Sequence, residues 1–192
     1  PYLDTESELH DYCWVVAGCV GVMLTRLHGL RQPGDASNVL ARRLDLSPVV
    51  GEARQLTNIL LDWPRDLRRG RCHVPASWLA EQDLEAEALA QPPNARSRAL
   101  ADRLESLARA ALARVPDYLV LYPASSVRYR MFVLWPALWA LASIRNARTD
   151  PSFPFTEHRP RLPRGEVRRI AVAASVAGHT RGGVPHLFDS AV

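Results

Sequence analysis

The alternation of apolar and polar positions makes this chain helical nearly from end to end. The clearest segment is Arg98–Val115, where Leu100, Leu104, Leu107, Ala111, Leu112 and Val115 recur at three- and four-residue steps on one helix face. Glu6–Leu30 predicts a long apolar helix with Gly18 and Gly21 one turn apart. A break at Pro33–Gly34 precedes a short piece around Ser37–Leu44. The next helix is expected over Pro48–Arg69, with Ser47 as its cap and Pro48 in its first turn. Pro64 lies inside that helix and predicts a kinked or loosened turn, and Gly70 closes it. Pro75–Glu81 reads as a turn or short helix, and Pro92–Pro93–Asn94 as a loop. Val127–Asn146 reads as a helix bent at Pro136, Asp150–Pro163 as a connector, and Glu166–Ala177 as the final helix. Strand alternation and internal repeats are absent, so an all-α bundle in one domain, 1–192, is expected.

One helix carries an unusual stripe. Gln55, Asn58, Asp62 and Asp66 span an arc of roughly 80° at about 100° per residue. Their neighbours Leu56, Ile59, Leu60, Leu61, Trp63 and Leu67 are apolar. Oxygen donors on so oily a helix suit a hard cation such as Mg²⁺, which completes its shell with water and substrate phosphates. The basic run Arg65, Arg68, Arg69 and Arg71 follows and suits a diphosphate. A solvated face with weak surface pairs is the other reading of the same residues.

Composition narrows the classes. Hydrophobic content of 47% and charged content of 23% over 192 residues are those of a globular domain. All 24 basic residues are Arg, which suits phosphate handling and a biased genome equally, and the net charge is +4. The arginines are scattered without a recognition motif, so no nucleic-acid partner is expected. The charge is compatible with mild attraction to an anionic membrane surface. Cys13, Cys19 and Cys72 read as buried thiols of a reducing compartment, and the histidines lack zinc-ligand spacing. The apolar runs Cys13–Leu24 and Met131–Ala142 are short for a membrane span and read as core helices. No signal peptide is visible, and the expected location is cytoplasmic, with peripheral contact at the inner membrane face. The chain begins at Pro1 inside structured-looking sequence, as a piece of a longer protein would.

Two blocks carry a resemblance to the squalene/phytoene synthase family of head-to-head prenyl transferases. Tyr12–Leu27, YCWVVAGCVGVMLTRL, is similar to the family's Y-C-x-x-V-A-G-x-V-G block. Gln55–Pro75 matches Q-x-x-N-x-x-x-D-x-x-x-D followed by G-R-x-x-x-P, here Gly70, Arg71 and Pro75. Arg130–Ala142 adds a weaker match to a late helix. The resemblance covers essentially the whole chain, as the C-terminal two-thirds of a typical member. It implies an isoprenoid-synthase-type helical bundle around a hydrophobic cavity, here lacking its N-terminal helices. It also implies Mg²⁺-assisted joining of two prenyl diphosphates through a cyclopropyl diphosphate, which some members then reduce with NADPH.

By motif position, the resemblance makes Asn58, Asp62 and Asp66 metal ligands, places Gln55 beside them and sets Arg71 on diphosphate. Tyr12 would stand near the reacting carbons. Val16, Val20 and Leu24 would form part of the tail-binding wall, with Gly18, Gly21 and Gly51 allowing close approach of tail or helix. Farnesyl diphosphate to squalene is the preferred expectation, with phytoene or dehydrosqualene as the alternative. A non-catalytic assembly or interaction protein of the same fold is the reading from another class.

Three departures matter. The family's first aspartate-rich motif lies upstream of the Tyr block, where this chain offers only Asp4, Glu6 and Glu8. Condensation by these 192 residues alone is therefore not expected. Leu61 stands where members often carry a basic residue, and Pro64 interrupts the DxxxD turn, which leaves NADPH use open.

Overall fold

The computed structural model describes residues 3–31, 37–155, 161–180 and 182–189, and among them there is no strand. The chain opens with one continuous helix, Glu6–Leu30. It comprises α1 (Glu6–Cys13), a π-helical stretch (Trp14–Gly18) and α2 (Cys19–Leu30). In the π stretch the Cys19 N–H reaches back five residues to the Trp14 carbonyl.

The long α3 (Ser37–Arg68) replaces the two shorter segments expected from the prolines. Pro48 has no N–H for the Leu44 carbonyl, and the buried Ser47 hydroxyl donates to that oxygen instead, at 3.1 Å. Ser47 therefore mends the helix interior and caps nothing. Gly70, at φ +68°, ends the run as expected. The Arg71 N–H returns to the Asp66 carbonyl at 2.9 Å, which turns the chain back along α3. Pro33–Gly34 and part of the Asp150–Pro163 connector lie outside the described residues.

The remaining elements are α4 (Ala76–Glu81), a 3₁₀ stretch (Ala86–Ala90), α5 (Ala95–Leu112), α6 (Val115–Val120), α7 (Val127–Ala147), α8 (Arg164–Gly178) and α9 (Gly183–Asp189). Asn94 caps α5 through a reciprocal box with Ser97, so that helix starts three residues before the expected Arg98. The short α6 was absent from the apolar pattern, and α9 follows what was expected to be the final helix. Each is too short for periodicity to register.

The central helix is α3, on which α1, the π stretch, α2, α5, α6 and α7 pack. Leu56, Leu60, Leu104, Leu112, Leu119 and Leu134 form the fully buried centre. Two buried arginines bind carbonyls near helix C-termini: Arg43 donates to Leu121 O at 2.6 Å, and Arg130 to Thr180 O at 2.7 Å.

The first helix departs from its expected burial. One face is pressed tightly on α3, because a Cβ on Gly21 would lie 2.3 Å from the Ser47 carbonyl oxygen. A Cβ on Gly51 would lie 2.4 Å from the Ala17 carbonyl oxygen. The opposite face meets no described element, so Met23 is 51% and Leu30 80% exposed. Cys19 is exposed too, whereas Cys13 and Cys72 are buried as expected. By length and composition Glu6–Leu30 is long and apolar enough to cross a membrane, unlike the shorter run considered in the sequence.

Candidate active site

Antiparallel contact of the first helix with α3 creates a cavity of about 280 Å³. Val16, Val20, Gly21 and Leu24 line it from one side, Gly51, Gln55 and Asn58 from α3. All seven were singled out in the sequence. Leu112, Val115, Tyr129, Phe132, Val133 and Ala137 complete the wall from α5, α6 and α7. For Gly21 and Gly51 the tight helix contact already accounts for the missing side chain, and cavity lining is a by-product of it.

The polar side chains gather at one end. Asn58 reaches the cavity, Asp62 lies one turn on and half-buried, and Asp66 one turn further lines a small cleft with Arg71 and His73. Tyr12 faces this end of α3, with Gln55 within hydrogen-bonding reach of its phenol. Burial holds that phenol above its ordinary value, and the Asp66 carboxylate adds to the effect. Cys13 acts the same way, while Arg71 and Gln55 oppose it. The phenol therefore stays protonated at neutral pH.

His73 was missed in the sequence. Its ring stacks on Tyr12 with centroids 4.8 Å apart, and its Nε2 lies 3.7 Å from an Asp66 carboxylate oxygen. The residue is only 7% exposed. Burial lowers its pKa while Asp66 pulls the other way. Its position two residues after Arg71, on a strand of chain folded back by Gly70, was the available signal. Arg54 was also missed; it lines the cavity one turn before Asn58. Arg65, Arg68 and Arg69 are exposed and line neither the cavity nor the cleft, so of the basic run only Arg71 joins this end.

Two of the three upstream carboxylates are engaged elsewhere. Glu6 pairs with Arg103 at 2.8 Å, and Glu8 accepts from the Asp4 N–H. Among the described residues no three His, Cys, Asp or Glu side chains converge as a metal centre. On α3 the Asn58 amide and the Asp62 and Asp66 carboxylates stand at successive turns.

At the other end of the cavity a buried phenol cluster closes the space. Thr25 donates its hydroxyl proton to the Gly21 carbonyl at 2.9 Å and so accepts from Tyr118 at 2.7 Å. Tyr118 in turn accepts from Tyr122 at 2.7 Å and from Tyr129 at 2.6 Å. The Tyr129 ring lies against His28 and Tyr122, with centroids 4.6 and 4.7 Å away.

Comparison with known proteins adds three findings. The Squalene/phytoene synthase family matches over residues 1–166. A 15-cis-phytoene synthase of Enterobacter agglomerans is 41% identical over 110 residues, which are 55% of this chain and 35% of that protein. A phytoene synthase of Pseudescherichia vulneris is 39% identical over 119 residues, 62% of this chain and 31% of that one. The chain thus spans about a third of the length of these curated relatives. The crystal structure of a dehydrosqualene synthase with bound ligand superposes with a TM-score of 0.76 at 20% identity. That superposition covers 92% of this chain and 58% of the other, and it identifies the helical fold.

Proposed function

The chain belongs to the squalene/phytoene synthase family, and from that membership we propose that it grips prenyl diphosphate for head-to-head condensation. One observation carries the reading. A single α3 face passes from Asp66 and Asp62 through Asn58 and Gln55 into an apolar cavity, so donors for a charged head adjoin space for an oily tail.

The donor set fits magnesium. This ion commonly takes one or two carboxylates and leaves its other positions to water and phosphate. Asp62 and Asp66 would supply the carboxylates and Asn58 an amide oxygen. When bound, the metal supplies charge neutralisation to the departing diphosphate. Arg71 adds a guanidinium beside Asp66, and Arg54 a second cation where head and tail meet. Tyr12, kept neutral, can donate a hydrogen bond to the leaving group and present its ring to the allylic cation. The walls of Val16, Val20 and Leu24 keep water from that cation.

Condensation needs charge-stabilising groups facing α3 from the other side, because Glu6 and Glu8 are occupied at the start of α1. These 192 residues are therefore expected to bind substrate without joining two molecules. The relatives' names favour a phytoene-type polyene over the squalene first expected. Proton loss, without NADPH, then fits as the final step. Cytoplasmic placement with peripheral membrane contact remains part of the proposal, supported by the apolar outer face of α2.

Calorimetric titration of farnesyl and geranylgeranyl diphosphate, with Mg²⁺ or with EDTA, tests the reading, alongside analysis of lipids extracted after incubation. Binding that depends on Mg²⁺, without a condensed product, is expected. Absence of binding would overturn the site, and a condensed product would overturn the need for further groups.

A further inference from the structure

Resting on the substrate reading above, we infer that Tyr129 is the length gate of the cavity, the side chain that decides how long an isoprenoid tail can be. Three residues, Leu24, Tyr129 and Phe132, line both the cavity and a separate groove of about 540 Å³ on the outside of the bundle. They are the partition between the two spaces. Tyr12 marks the polar end and Leu24 the partition, twelve residues apart on one helix, or about 18 Å at 1.5 Å per residue.

The members of this partition differ in rigidity. Phe132 is half exposed and held only by packing. Tyr129 is fixed from three directions: its hydroxyl donates to Tyr118, and its ring is flanked by His28 and Tyr122. Tyr122 is backed in turn by the Arg43 guanidinium 4.2 Å from its centroid. The phenols have no further proton to place, since Tyr118 donates to Thr25 and Thr25 to the Gly21 carbonyl. A wall anchored in this way does not yield to an extra isoprene unit. The cavity of about 280 Å³ it closes lies just under the ~300–1,000 Å³ usual for small-molecule pockets, so tail length is limiting.

The test is a calorimetric series with geranyl, farnesyl and geranylgeranyl diphosphate in Mg²⁺, on the wild-type chain and three variants. Each methylene newly buried strengthens binding by about fourfold, the equivalent of ~0.8 kcal/mol. Wild-type affinity should rise with tail length and then level off. Tyr129→Ala should move that plateau to a longer tail, with at least a tenfold gain for the first unit beyond the wild-type limit. Tyr129→Phe keeps the ring and should keep the plateau. Phe132→Ala, at a half-exposed position, opens the same partition without touching the phenol cluster and should shift the plateau in the same direction. Binding with an unchanged plateau in both alanine variants would overturn the gate while leaving the substrate reading intact. Failure of the wild-type chain to bind any of the three would overturn both.

Discussion

The Cys13 thiol, enclosed against α3 with Glu52 nearby, is pushed up from 9.0 to about 12, chiefly by burial. Only a thiolate attacks a disulfide reagent at a useful rate, so burial and protonation both protect it. Native protein treated with an aromatic disulfide should release about one fast equivalent, from exposed Cys19, and all three thiols after denaturation. Alkali should act on the same buried groups. Cys13, Tyr118 and Tyr122 are all raised, mainly by burial, so the folded chain keeps protons that the unfolded chain gives up. Their stabilisation is complete below the ordinary thiol value near 9.0 and is lost as pH rises from there toward the folded Cys13 value of about 12. The urea midpoint should therefore fall between about pH 8 and about pH 10.5. Asp62→Ala removes a half-buried carboxylate and no core packing. Its Mg²⁺-dependent diphosphate affinity should fall on the order of 10–100-fold with the melting temperature nearly unchanged. Equal affinity in titrations of mutant and wild type would remove Asp62 from the metal set.

Helices meet helices here through backbone where glycine allows it. Gly51→Ala puts a methyl group against the Ala17 carbonyl and should cost about 1–3 kcal/mol in urea unfolding. Ser47→Ala strips the Leu44 carbonyl of its donor and should cost about 1 kcal/mol or more. Combining Ser47→Ala with Pro48→Ala should recover that loss, because the restored amide N–H reaches the same carbonyl. An additive double mutant would show that the hydroxyl is not the substitute donor. These contacts explain what could be read beforehand. The amphipathic runs that became α5 and α7 were plain because their apolar residues recur over many turns. The oxygen stripe on α3 was plain for the same reason. Pro48 misled because its cost is offset by a neighbour's side chain, which no periodicity reports. His73 escaped because its place beside Asp66 depends on the left-handed turn at Gly70, a contact across a fold-back and not along a helix.

Across the whole molecule, polarity runs in one direction: carboxylates and Arg71 at one end, an apolar hollow in the middle, a locked phenol cluster at the other end. The exterior of the first helix breaks this order, since Val15 in the π stretch and Met23, Leu27 and Leu30 in α2 are exposed apolar side chains. Contiguous patches of this kind drive association in water. The chain should therefore elute above its monomer mass of 21.4 kDa at micromolar concentration and return toward it in mild detergent, as light scattering can establish. A strictly monomeric profile without detergent would contradict this. The wide turn at Trp14–Gly18 has a corollary for how such a gene can drift. A π turn holds one residue more than the α turn it replaces. Loss of a single codon there would leave a smoother helix of almost the same oiliness. Tyr12 and Leu24 would keep their present facing, because the surplus residue is held within the one wide turn, whereas a deletion in the α-helical segments on either side would wind Tyr12 about 100° away from Leu24. Along this helix, the wide turn is thus the place where a frame-preserving deletion can be absorbed, and the α-helical turns around it are where it cannot.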